Sequence, residues 1–211
     1  MIGWVGGVLG LRWSEVIGLK VGCLDLKGGT LTVAESITRG FGGQLVTGPP
    51  KSSAGNRTVT LPSTVADLLE RHLSALGISE DPDALVLTNT EGAPIRYDNW
   101  RRRVWLPATR SAGCEGAGFH DLRRLAATAL VLSGVDIKTA QVRLGHSDPR
   151  MTLAVYASAP VEADRSAAER LESRFFDRGE NESTRAKIAP KRAKSGVDDP
   201  QTRSSGGRNP R

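Results

Sequence analysis

The chain has 211 residues, enough for one ordinary domain with a tail or for two very small domains. With 38% hydrophobic and 25% charged residues it can bury a core, which speaks against global disorder. The formal charge is +6, but residues 178–211 hold nine Lys/Arg against four Asp/Glu and residues 1–177 hold twenty against nineteen, so charge alone does not make the folded part a nucleic-acid binder.

In chain order, Leu11 to Leu19 has apolar residues at helical spacing and ends near Gly18 and Gly22. After Gly28-Gly29, the β-branched run TLTVAES reads as a strand. Gln44–Thr47 and Arg57–Leu61 read as two more strands, separated by the loop GPPKSSAGN. Pro62-Ser63 opens a helix to Leu76 with Leu68, Leu69 and Leu73 on its buried face. Asp98 to Ser111 is a further helix carrying Arg101, Arg102 and Arg103. From His120, the positions Leu122, Leu125, Ala126, Ala129 and Leu130 form an amphipathic stripe that ends at Ser133-Gly134. Short helices follow at Asp136–Leu144, stopped by Gly145, and from Asp148-Pro149 to Tyr156. A last helix is expected over Ala163–Phe175. Residues 178–211 are rich in Ser, Gly, Pro and charge and read as a disordered basic tail. Helix, small antiparallel sheet, then helices is an α+β order, with a domain over residues 1–177.

Several side chains suit phosphate chemistry. The i, i+3 spacing of His120 and Arg123 predicts one shared face away from the stripe, offering a donor fork beside a proton relay. Arg12 and Glu15 have the same spacing, and the carboxylate would aim the guanidinium. Lys51 lies in the Gly/Pro/Ser loop, His146 follows Leu144-Gly145 at a helix end, and Tyr156 is one of two tyrosines. Singly, each is more often a solvated face or ion pair, an exposed loop lysine, a helix cap or a core tyrosine. Cys23 and Cys114 stand apart with no CxxC, against a disulfide scaffold or zinc knuckle and in keeping with a reducing cytoplasm. No apolar run reaches the ~20 residues of a membrane span, and MIGWVGGVLG lacks the features of a secretory signal.

Together, GLRWSE, PPKSSAGNRTVTLP and FHDLRRLAATALVLSGVDIKTAQVRLGHSDPRMTLAVYA resemble the tyrosine recombinase (phage integrase) family over about residues 8–176. That family's order of Arg, Lys, His-x-x-Arg, His or Trp, then Tyr is met by Arg12, Lys51, His120, Arg123, His146 and Tyr156. The LGH triplet and the ten-residue step from His146 to Tyr156 are its most specific marks.

The resemblance implies a mainly helical catalytic domain of the DNA breaking–rejoining type with a small three-stranded antiparallel sheet. It implies a site-specific recombinase acting on double-stranded DNA through a 3′-phosphotyrosine, without metal, ATP or other cofactor, and as a homo-oligomer, a tetramer, on DNA. Arg12 and Arg123 would clamp phosphate oxygens, with Glu15 behind Arg12. Lys51 would protonate the leaving 5′-oxygen, His120 and His146 would assist at the phosphate, and Tyr156 would be the nucleophile. Members carry a helical core-binding domain ahead of the catalytic one. With eleven residues before Arg12, the expectation is a catalytic domain curtailed at its start and without that clamp. A non-catalytic remnant that binds DNA weakly and a type IB topoisomerase-like enzyme are the alternatives.

Overall fold

The computed structural model describes residues 1–157, together with Arg165, Ala168, Glu169, residues 171–173 and Phe175. Two short helices, α1 (Ile2–Gly7) and α2 (Trp13–Ile17), lead into the strands β1 (Leu24–Asp25), β2 (Thr30–Val33), β3 (Ser36–Arg39), β4 (Leu45–Gly48) and β5 (Arg57–Thr60). Helices α3 (Ser63–Leu76), α4 (Tyr97–Trp100), α5 (Leu106–Ser111), α6 (Phe119–Leu132), α7 (Ile137–Leu144) and α8 (Pro149–Ala157) follow. A π-turn over Arg101–Trp105 joins α4 to α5, so the single helix expected from Asp98 to Ser111 is interrupted where its arginines stand.

The α+β class and the three-stranded antiparallel sheet hold, but the sheet is built from other strands than expected. Its order is β1-β2-β5, and β4 pairs instead with β3 in a separate hairpin. The run TLTVAES is the reason: it breaks after Val33 and restarts at Ser36, so one predicted strand becomes parts of two sheets. Register in the first sheet runs from Thr30↔Thr60 to Val33↔Arg57. This places Leu31 opposite Val59, both buried.

The core lies where α1, α2, β2, β5 and α3 meet. Val5, Leu9, Leu11, Val16, Leu31, Val33, Val59, Val65, Leu69 and Leu73 are all buried there. Truncating one such leucine, Leu69, would cost about 2–5 kcal/mol. Helix α1 escapes sequence reading because its glycines are poor helix formers, each costing ~1 kcal/mol against alanine. Tertiary packing supplies what propensity lacks. Val5 is fully buried, and a Cβ on Gly6 would come within 2.7 Å of the Phe119 ring, so the glycine lets α1 lie close on α6.

Below the site, Trp13 packs against Tyr97, Trp100 and Phe119 at centroid distances of 5.0, 4.8 and 5.2 Å. Such pairs contribute ~0.5–1.5 kcal/mol each beyond area burial. They fix the residues next to Arg12 and His120 in the chain. The expected helix Ala163–Phe175, apart from the positions named above, and the tail 178–211 lie outside the described residues.

Candidate active site

The site is organised around the C-terminal end of α7. A helix leaves its last carbonyls without intrahelical partners, and they carry the negative end of the dipole. Here three arginines from three distant segments take up three consecutive ones. Arg57 Nε donates to the Arg143 carbonyl at 2.8 Å, Arg123 Nη2 donates to that of Leu144, and Arg12 Nη2 donates to that of Gly145 at 2.7 Å. Gly145 makes this possible. It has φ +65°, and a Cβ there would lie 2.7 Å from Arg57 Nη1 and 2.8 Å from the Ala54 carbonyl oxygen. The LGH triplet therefore has a physical meaning: only glycine turns the chain here with arginines pressed against it.

Glu15 is the counter-charge. Its carboxylate is buried and accepts Arg12 Nη1 at 2.7 Å on one side and the fork of Arg57 at 3.1 and 3.0 Å on the other. It also reaches back to the Arg12 backbone N–H at 2.8 Å, closing the first turn of α2. Burial alone would raise this carboxyl. The bonds and charge of Arg57, then those of Arg12, outweigh that and hold it below the usual carboxylate value. The expected Arg12–Glu15 pair is present. Arg57, buried at 6% exposure, is the functional candidate that sequence reading missed. The signal was available: Arg57 shares the inward face of β5 with Val59, and a charge on an inward face needs a buried partner.

Arg123 and His120 part company. The shared solvent-facing ridge expected of them is not what forms: His120 is exposed, but Arg123 is 3% exposed. The buried face of α6 is Phe119, Arg123, Ala126, Ala127 and Val131, whereas Leu125 of the expected stripe is 61% exposed. The reason is that the arginine itself belongs to the inward face, donating through Nη1 to the Gly10 carbonyl at 2.6 Å. Burial and then the neighbouring Arg12 push its pKa down to about 9, so it remains a cation at neutral pH.

His146 is buried, with Nδ1 2.9 Å from Thr152 Oγ1. Its carbonyl accepts Gln141 Nε2 at 3.1 Å. Burial first, then Arg123, Arg12 and Arg57, push its pKa down to about 4, so it is neutral at pH 7 and able to serve as a hydrogen-bonding group. His120, Arg123 and His146 line one cleft of about 300 Å³. Arg12 and His120 line a larger one of about 790 Å³ next to it, between α2, the β3–β4 hairpin and α4.

The remaining two candidates stand apart. Lys51 is exposed in the loop after β4 and makes no ion pair among the described residues. Tyr156 on α8 is half-buried and donates its hydroxyl to the Val135 carbonyl, just ahead of α7. Burial and then the charge of Asp136 raise its pKa. The structure thus brings Arg12, His120, Arg123 and His146 together and leaves Lys51 and Tyr156 outside both clefts.

The sequence pattern of the Phage integrase family matches residues 8–162. The chain belongs to this family. Among relatives, it is 29% identical to the integrase of Mycobacterium phage FRAT1 over 165 residues, covering 76% of this chain and 48% of that one. It is 24% identical to the integrase of Staphylococcus phage L54a over 183 residues, 82% of this chain and 51% of that one. The chain therefore spans about half the length of these curated integrases. Among solved structures, the Tn1549 transposon integrase in complex with transposon right end DNA superposes with a TM-score of 0.64 at 26% identity, over 81% of this chain and 57% of that one. The XerH site-specific recombinase bound to palindromic difH substrate shares the fold at a TM-score of 0.54 and 22% identity, over 82% of this chain and 44% of that one.

In phage integrase terms, the geometry offers two guanidiniums anchored on adjacent carbonyls, with a neutral imidazole and an exposed one facing the same opening. That suits an anion whose negative charge grows during reaction. No group of His, Cys, Asp or Glu that could hold a metal ion occurs among the described residues, and no described helix is long and apolar enough to cross a membrane.

Proposed function

We propose that this chain is the catalytic part of a site-specific DNA recombinase that breaks and rejoins double-stranded DNA through a covalent 3′-phosphotyrosine at Tyr156. The observation that carries the reading is the anchoring of Arg12 and Arg123 on consecutive carbonyls, 145 and 144, above the cleft that His120 and His146 share. Each guanidinium has donors to spare after these bonds, because arginine carries five N–H groups in a fixed fork. A scissile phosphodiester seated there meets charge already in place, with no reorganisation needed as its oxygens gain charge in the pentavalent transition state.

The steps balance. The Tyr156 oxygen attacks phosphorus and forms one P–O bond while the bond to the 5′-oxygen breaks. Lys51 gives that oxygen a proton, so the cut strand leaves with a 5′-hydroxyl, and His120 takes the proton that the Tyr156 hydroxyl gives up. A second strand's 5′-hydroxyl then attacks the phosphotyrosine, giving its proton back to Lys51, and Tyr156 is released with the proton returned by His120. One phosphoester is exchanged for another at each step, so no ATP is consumed. His120 assists proton transfer, and neutral His146 donates a hydrogen bond to a phosphate oxygen.

For this, Tyr156 must leave the Val135 carbonyl and Lys51 must swing in from its loop. Leaving Val135 takes the hydroxyl away from Asp136 and towards Arg12 and Arg123, whose positive charges favour the phenolate. Pairs of protomers bound to two duplexes, a tetramer, would exchange strands. The test is a nicked attachment-site duplex that traps the covalent adduct on a denaturing gel. A labelled protein band that disappears in Tyr156→Phe supports the reading, and a band of undiminished yield overturns it.

A further inference from the structure

One feature near the site has no part in the chemistry above. The β3–β4 hairpin forms a wall of the larger cleft and ends in Gly40-Phe41-Gly42-Gly43. Phe41 is 99% exposed, the most exposed large apolar side chain among the described residues. Its neighbours have no side chains, so the ring projects alone from a narrow tip. The arm behind it is firmly built, with four residue pairs from Ser36↔Gly48 to Arg39↔Leu45. It is tied to α4 by Arg96 Nη1 donating to the Gly43 carbonyl at 3.3 Å and by the Arg39–Asp98 pair at 3.7 Å.

We propose that Phe41 is a wedge that inserts between stacked bases of the DNA beside the cleavage position. The inference rests on the DNA-cleaving reading. The cleft wall under the tip carries Arg12, Arg39, Arg96 and Arg102 against a single carboxylate, Asp98, which matches a polyanion passing from the site towards the tip. An aromatic ring gains nothing from phosphates. Its burial on a duplex is in a groove or between base pairs, where apolar wedges part a base step and bend the helix. Pyrimidine–purine steps open most readily, so the wedge would also favour a crossover sequence containing them, without a hydrogen bond to any base.

The test uses the whole chain and a short duplex with central TA steps, one adenine replaced by 2-aminopurine and one end carrying fluorescein. Anisotropy reports binding, and 2-aminopurine brightens when its neighbours unstack. Wild type is expected to bind and to raise the 2-aminopurine signal severalfold. Phe41→Ala is expected to fold as wild type does, since the ring is fully exposed in the free protein, and to bind within about twofold, since the ring's burial on DNA is largely offset by the cost of parting the stack. It should give no brightening, and Phe41→Trp should restore it. Binding without brightening by wild type overturns the wedge and leaves the DNA reading standing. So does brightening that survives Phe41→Ala. Loss of self-association on DNA in Phe41→Ala, with brightening unchanged, assigns the tip to a protein contact and overturns the wedge. Absence of any binding by wild type overturns both readings.

Discussion

The arginines of the site and the two remaining candidates, Lys51 and Tyr156, are held in opposite ways. Arg12, Arg57 and Arg123 are each fixed by two or more bonds to carbonyls or to Glu15, and the last two are buried. Tyr156 hangs on one bond to a backbone carbonyl, and Lys51 has no ion pair among the described residues. The difference teaches a division of labour. Charge that stabilises a transition state works best when fixed beforehand. On the proposed mechanism, Tyr156 and Lys51 would form and break bonds, and such groups are more safely kept outside until DNA is present.

The largest expected effect breaks the comparison on its loose side. Tyr156→Phe should abolish the covalent adduct while DNA binding by anisotropy stays within about twofold, a surface-scale change. On the fixed side, Arg123→Ala should slow cleavage by about 100- to 1000-fold, as loss of one preorganised donor does elsewhere. A rate within a few-fold of the parent in a single-turnover assay would remove Arg123 from the chemistry. Arg57→Ala should cost about 3–5 kcal/mol in urea melts, because it leaves Glu15 buried with half its counter-charge gone. A loss below 1 kcal/mol would mean that Arg12 alone neutralises Glu15.

A smaller effect comes from His146, through pH. Its folded-state pKa, pushed down to about 4, lies below the ordinary 6.5, so the unfolded chain takes up a proton first as the solution is acidified. Its contribution is therefore full above about pH 6.5 and is lost as the pH falls towards 4, by about 3 kcal/mol at most. Urea melts across that range should show the loss in the parent and a flatter profile in His146→Gln. The smallest change in stability is expected at Lys51. Lys51→Ala should leave stability within about 0.5 kcal/mol. Its cleavage should fall ~100-fold and recover on a substrate whose leaving 5′-oxygen is replaced by sulfur, which departs without a proton.

What the sequence made legible follows from local rules. Helix α3 begins at Ser63 and ends before Gly77, Asp136 caps α7 by accepting the Thr139 N–H at 2.9 Å, and Gly145 stops it. Arg12, Glu15 and the HxxR pair were readable as types at spacings. The illegible part is three-dimensional. Arg123 was placed on the wrong face because a stripe drawn through apolar residues leaves out a buried cation. Arg57 went unseen because its partners, Glu15 and the Arg143 carbonyl, are 42 and 86 positions away. The hairpin was split between sheets because four-residue strands broken by Ala34-Glu35 carry too few alternations to show where one ends.

The three carbonyls at the end of α7 have a consequence for the order of assembly. They receive side chains from 133, 86 and 21 positions upstream. A nascent chain that has not yet reached residue 143 holds every arginine of the site, with Glu15 and the Gly10 carbonyl, but none of these three carbonyls. Such separations raise contact order and place the closure late in folding. The arginine cluster is therefore completed last, when the LGH turn docks on cations that Glu15 can already gather.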